Sequence, residues 1–302
     1  MEESDVMNRT TKASWLASIF LGTTLYILMQ YGPVWAQLPP GMKLFETTKI
    51  ADGVYSFRFA FHRNMFVVTD AGVIATDPLN PKAAAVMQAE IAKVTDKPIK
   101  YVIYSHEHWD HISGGSVLKA TGARFVSHAN CANEFRRNPN SNVVMPDETY
   151  TGNRHDVTLG GTTVELHHFG RNHGNCLSVM RLPKEKILFI VDIVTPKRIA
   201  YRNMPDFYPL DWVRSLREIE TLGFERIIPG HGPPTAPAAA VREQREYLED
   251  LMAAVREARK TERSPDKVRT MVKLPKYEAW GGYKQWLEMN VERINFFYHM
   301  GK

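Results

Sequence analysis

Cysteine is scarce in this chain: 302 residues contain two, Cys131 and Cys176. At most one disulfide can form, which excludes a fold stapled by several bridges. Sequence gives no distance between the two sulfurs, and we expect a pair of buried thiols, with a bridge left open if the chain is exported. Internal repeats and disorder-prone tracts are also missing; 44% apolar and 24% charged residues are ordinary globular proportions, with ample length for one large domain. The net charge of +5 is mild, and no basic stripe interleaved with aromatics is present, so no nucleic-acid partner is expected. The basic cluster Arg259, Lys260, Arg263, Lys267 and Arg269 reads as a solvated turn between helices.

One long apolar run stands apart, Ala13 to Met29, preceded by Arg9 and Lys12 and followed by the small-residue site Val34-Trp35-Ala36. Residues 1–36 therefore read as a signal peptide, with an uncleaved N-terminal anchor as the competing reading because of the run's length. Either way the body of the protein is expected outside the cytoplasm, periplasmic or secreted, touching a membrane only if the segment stays attached. Loss of two basic and three acidic residues with that segment would move the net charge from +5 to +6.

What is there in abundance is metal-binding chemistry at one place. His106-Glu107-His108-Trp109-Asp110-His111 follows the apolar run Ile99 to Tyr104, which reads as a buried strand. Three imidazoles and a carboxylate where a strand gives way to a turn suit a borderline metal such as zinc. The helical HExxH motif is not present, since its second histidine would fall at Asp110. His106 and His108, two apart, share one side of an extended segment, whereas Asp110 and His111 must reach a neighbouring position through the turn, so two adjacent metals are expected. Gly114 and Gly115 let the backbone fold closely beneath.

The pattern His-x-His-x-Asp-His resembles that of the metallo-β-lactamase superfamily, and the remaining motifs follow in order. Gly170 and His173 in a loop after a strand resemble the third motif, with His167 and His168 as rivals; Gly174 departs from the hydroxyl residue often found there. Asp192, closing the apolar run Ile187 to Val191, resembles the bridging aspartate, and His231 in Pro229-Gly230-His231-Gly232 the last ligand. Asp77 looks like the aspartate that braces the metal turn.

The resemblance implies an α/β fold, an αββα four-layer sandwich, with a catalytic domain at 37–235 and C-terminal helices at 236–302 packed on it. It implies two zinc ions, iron being the other candidate metal: the first held by His106, His108 and His173, the second by Asp110, His111 and His231, with Asp192 bridging. The implied activity is hydrolysis of an ester, lactone, thioester or amide-type bond in a small molecule by metal-bound hydroxide, with Asp110 and His111 catalytic. An aspartate at 192 argues against a dedicated β-lactamase, though β-lactam cleavage stays an alternative. Thr195 stands where quorum-quenching lactonases add a tyrosine. A mononuclear iron oxidoreductase of the persulfide-dioxygenase kind is the other alternative. Members also dimerise through such a C-terminal segment, so a homodimer stands beside a monomer.

Other expectations concern the surroundings. Ala60 to Asn64 reads as a hairpin loop in which His62 either touches substrate or is simply exposed, and Arg136 to Asp156 reads as a long polar loop with His155 exposed. His128 reads as structural. Asp211 reads as the N-cap of a helix Trp212 to Leu222, and two helices are expected at Ala238–Lys260 and Tyr277–Tyr298. Phe207, Tyr208 and Trp109 are either an apolar wall of the site or core.

Overall fold

The computed structural model describes residues 38–301, so the expected signal segment at 1–36 lies outside the described residues. From Phe45 onward the chain is built on two sheets. The first holds seven strands in sequence order, β1 (Phe45–Ala51), β2 (Val54–Phe59), β3 (His62–Thr69), β4 (Gly72–Thr76), β5 (Ile99–Ile103), β6 (Arg124–His128) and β7 (Glu148–Tyr150). Pairing is antiparallel through β4 and parallel from β4 to β7. The second orders its six strands β13 (Ala236–Pro237), β12 (Arg226–Pro229), β11 (Ile187–Ile190), β10 (Ser178–Leu182), β9 (Thr162–His168) and β8 (Arg154–Leu159), with β11 and β12 parallel.

The two sheets share one apolar layer. Val54, Met65, Val67, Ile74, Ile103 and Val126 of the first sheet form one buried cluster with Val164, Leu166, Met180, Phe189 and Ile228 of the second. Strands buried on both faces read as continuous apolar runs, as β4 and β11 do. Helix α1 (Pro81–Val94) opens with Asn80 accepting from the Ala83 N–H and Pro81 at the first turn. It buries Ala83, Ala84, Met87 and Ile91. Beyond the metal turn come α2 (Trp109–Ile112) and α3 (Gly115–Lys119), and after β6 comes α4 (Ala129–Arg137).

Over the second sheet lie α5 (Pro209–Ile219), α6 (Ala239–Thr261), the short α7 (Pro265–Met271) and α8 (Tyr283–Met300). Leu188, Ile190 and Ile227 of the sheet join Trp212, Leu216, Leu248, Leu251, Leu287 and Ile294 of the helices in a second cluster. The result is the αββα sandwich, with the C-terminal helices in the apolar layer of its second sheet.

Several local expectations are corrected. The loop Ala60–Asn64 is only the two-residue turn Ala60-Phe61, because β3 already begins at His62, paired with Phe59. The stretch Arg136–Asp156 contains β7 and the start of β8, and His155 is not exposed: it stacks on Tyr150 at 5.1 Å and pairs with Glu148 at 3.0 Å. Helix α5 starts at Pro209, so Asp211 sits in its first turn and Tyr208 is the N-cap. The last helix begins at Tyr283; Gly282, at φ 80°, separates it from a 3₁₀ turn at Pro275–Tyr277. The basic cluster 259–269 includes α7, and Arg259 bonds Asn295 of α8. Cys131 and Cys176, expected as thiols, are disulfide-bonded, with Cα atoms 5.2 Å apart; α4 and the turn before β10 bring together positions 45 apart in sequence.

Candidate metal centre

Strand β5 delivers the metal turn, and Asp77 braces it. Fully buried, Asp77 accepts from the Ser105 backbone N–H at 2.7 Å through Oδ1 and from the Ser105 hydroxyl at 2.6 Å through Oδ2. Burial pushes its carboxyl up to about 6. Since Ser105 donates to Asp77, its oxygen is left to accept from His106 Nδ1–H at 2.8 Å, which turns the His106 Nε2 lone pair inward. The two glycines behave as expected: a Cβ on Gly114 would meet the Pro78 carbonyl at 2.3 Å, and one on Gly115 the Tyr104 hydroxyl at 2.4 Å.

Around this turn the second sheet supplies the rest. His173 follows β9, Asp192 follows β11, and His231 follows β12. Asp192 Oδ2 lies 3.2 Å from both His106 Nε2 and His173 Nε2, while its Oδ1 lies 2.8 Å from His231 Nε2 and 3.4 Å from His111 Nε2. One carboxylate thus faces both groups of imidazoles. His106, His108, His173 and Asp192 have ligand atoms within 4.8 Å of one another, and so do His62, His111 and His231. Asp110 reaches the second group, its Oδ2 3.1 Å from His62 Nε2 and 4.0 Å from His111 Nε2. All seven residues singled out from the sequence come together.

The donor set fits a pair of cations. Buried His106 Nε2 makes no well-aligned hydrogen bond, its neighbour Asp192 Oδ2 lying at 3.2 Å, an expensive state for a neutral imidazole unless an ion takes the lone pair. Burial lowers His106 to about 3 and also lowers His173, so both are neutral, the form that ligates. Burial works against His111 too, but Asp192, Asp110 and Asp77 outweigh it and hold the ring protonated up to about 9. Its positive charge stands where a bound cation would otherwise supply one. Burial would raise Asp192, yet the His111 charge and its contacts with His106 and His173 keep it well below the carboxylate range.

Residues not named as ligands from the sequence complete the site. His62, read as a substrate contact or an exposed hairpin residue, belongs to the second group of imidazoles. Asp206 Oδ2 sits 3.2 Å from His108 Nε2, and its carbonyl accepts from the Gly174 N–H. Glu107, raised by burial, lies with Oε2 2.8 Å from Cys176 Sγ. It also explains Gly174: at φ 65°, a Cβ there would meet Glu107 Oε1 at 2.2 Å. The rivals for the third ligand are elsewhere, His167 against Glu165 at 3.2 Å and His168 stacked on His128 at 3.9 Å. His128 is the N-cap of α4, its Nδ1 accepting from the Asn130 N–H.

Phe207 is core, stacked between His173 and Trp212 at 4.0 Å from each. Trp109 and Tyr208 line a cavity of about 740 Å³ that opens on the site beside His108 and Asp110, with Phe135 and Arg137 farther along. That volume suits a small organic molecule.

The sequence profile of the metallo-beta-lactamase superfamily matches residues 58–231, from β2 through His231. The chain belongs to that superfamily. Among curated relatives it is 27% identical over 184 residues to the 2,4-dinitroanisole O-demethylase subunit alpha of Nocardioides sp. (strain JS1661), covering 60% of this chain and 54% of the relative. It is 23% identical over 253 residues to a linear primary-alkylsulfatase of Pseudomonas sp. (strain ATCC 19151), covering 66% and 47%. The chain thus spans about half the length of these relatives. The fold matches a metallo-beta-lactamase from Pontibacter korlensis with a TM-score of 0.61 at 20% identity, covering 68% of this chain and 99% of that one.

Proposed function

We propose that this member of the metallo-β-lactamase superfamily is a dinuclear zinc hydrolase of a small molecule. The observation that carries the reading is Asp192, whose two oxygens face two separate groups of imidazoles. His106, His108 and His173 would hold one ion and Asp110, His111 and His231 the other, with Asp192 between them. Two such ions supply Lewis acidity and an acidified water at neutral pH. The chain's own residues do the rest. Asp110, partly open to solvent and kept ionised by His62 and His111 despite its burial, orients the attacking water and accepts its proton. Trp109 and Tyr208 flank the substrate's apolar part in the cavity.

Candidate substrates are esters, lactones, thioesters and amide-type bonds. Sulfate esters and activated aryl ethers join them because the alkylsulfatase and the O-demethylase subunit are relatives. A panel of these compounds, with β-lactams included, tests the reading. Wild-type protein should hydrolyse at least one, and Asp110→Ala and His111→Ala should abolish that hydrolysis with an unchanged far-UV circular dichroism spectrum. Full activity in either variant would overturn it.

Export belongs to the same proposal. Support comes from the Arg9 and Lys12 flank of the apolar run and from the Cys131–Cys176 disulfide, a bond that persists in oxidising compartments. N-terminal sequencing of protein recovered from fractionated cells should begin near residue 37 or show an anchored chain outside the cytoplasm; recovery only from the cytosol contradicts export.

A further inference from the structure

We propose that His62 is a ligand of the second ion, so that this ion is held by three imidazoles, with Asp192 shared and Asp110 alongside. The inference rests on the two-ion reading and extends it by a residue outside the metal motifs. His62, His111 and His231 are arranged edge to face around one point. The ring centroids are 5.3 Å apart for His62–His111, 4.8 Å for His62–His231 and 5.2 Å for His111–His231, at interplanar angles of 72°, 65° and 87°. Their ligand atoms lie within 4.8 Å of one another. Donors at that spacing would need to close by less than about 1 Å each to reach zinc–nitrogen distances of about 2.1 Å. His62 Nε2 is already 3.1 Å from Asp110 Oδ2, the carboxylate assigned to the same ion.

The backbone fixes His62 relative to His231. The turn Ala60-Phe61 puts Ala60 at φ 51°, a left-handed conformation that a non-glycine residue adopts only when the surroundings impose it. From this turn the Phe61 carbonyl accepts from His231 Nδ1–H at 2.9 Å, which leaves His231 Nε2 as the donor atom facing Asp192. Immediately after His62, the Arg63 backbone N–H donates to the Gly230 carbonyl at 2.7 Å and Arg63 Nε to the Gly232 carbonyl at 2.7 Å. Gly230 and Gly232, on either side of His231, are thus both tied to Arg63, and His231 itself is tied to Phe61, so the contacts bracket His62. A hairpin clamped to the metal loop in this way holds an imidazole on the ion rather than leaving it free to swing into solvent.

The consequence is a second site richer in nitrogen than the Asp-His-His motif alone provides. Apo protein titrated with cobalt(II) and zinc(II), followed by absorption spectroscopy and chelator competition, tests this in wild type, His62→Ala and His62→Gln. Wild type should take up two ions per chain. Both variants should keep the first ion at wild-type affinity and bind the second about 10- to 100-fold more weakly, with an altered cobalt d–d spectrum. The glutamine amide can still donate to Asp110 but is a poor zinc ligand, so it separates ligation from mere positioning. Wild-type affinity and spectrum in His62→Ala, or their recovery in His62→Gln alone, overturn the assignment while leaving the two-ion reading intact. Uptake of a single ion by the wild type overturns both.

Discussion

The two groups of ligands differ in how the chain holds them. In the first, His106 is fully buried, His173 nearly so, and Phe207 backs the His173 ring. His108, the third imidazole of that group, is 30% exposed; in the second group His111 is fully buried, and the side chains of Asp110, His62 and His231 are 56%, 29% and 24% exposed. In the first group Ser105 and Asp77 fix the His106 ring, and Glu107 lies against the disulfide. In the second, His62 and His231 sit on a hairpin and a turn at the rim, while His111 is buried in α2. Buried imidazoles with no other partner are costly to leave empty, whereas half-exposed ones can be satisfied by water. The difference teaches that an ion on the buried imidazoles would support the fold, whereas an ion on the half-exposed side would be the one open to exchange and substrate.

Asp192 is the residue common to both halves, so its loss erases the contrast and gives the largest effect. Asp192→Asn should lower kcat/KM by on the order of 10³-fold on whichever substrate the panel identifies, with the circular dichroism spectrum retained. Activity within tenfold of wild type would mean that the halves work independently. The next test strikes the shell of the buried half alone. Cys131→Ser with Cys176→Ser removes the bond closing the span between positions 45 apart and should cost about 2–4 kcal/mol in urea denaturation. The second ion's affinity should change less than the first ion's.

A gentler probe of the same shell is Gly174→Ala. The added methyl meets the Glu107 carboxylate, and the backbone there is left-handed, so we expect a loss of about 1–3 kcal/mol, read as a lowered Tm. An unchanged Tm would show that Glu107 yields freely and that the shell is softer than the comparison holds. The smallest effect lies one layer out, at His128. Burial, reinforced by His168, lowers His128 to about 4 in the folded chain, against an ordinary value near 6.5. Between those values the unfolded state binds the extra proton, so stability from this group is complete above pH 6.5 and lost as the pH falls towards 4. His128→Asn keeps an N-cap acceptor and should flatten that slope in denaturation measured from pH 7 to 4; an unchanged slope places the titration elsewhere.

Much of this site was legible in the sequence because its ligands sit where apolar strands end. His106 to His111 after β5, Asp192 after β11 and His231 after β12 each interrupt a buried run with a group that is expensive to bury alone. The layers of the fold were legible for the same reason, since the runs Val73–Ala75 and Ile187–Val191 announce strands covered on both faces. His62 was legible only as a candidate substrate contact, not as a member of the imidazole group. A single histidine after Phe61 looks like a hairpin tip, and only the register Phe59↔His62 turns it inward. Asp206 was hidden in an irregular loop where it adopts φ 62°, which no local pattern announces. Strands β7 and β8 escaped notice because their residues are polar and short of apolar alternation, and pairing, not propensity, makes them strands. The disulfide escaped because spacing along the chain carries no information about distance in space.

Elemental analysis of purified wild-type protein, by inductively coupled plasma mass spectrometry against a measured chain concentration, tests the central claim most directly. The account predicts two zinc ions per chain, with Asp192 between them. A single iron per chain would contradict it and favour the mononuclear oxidoreductase reading.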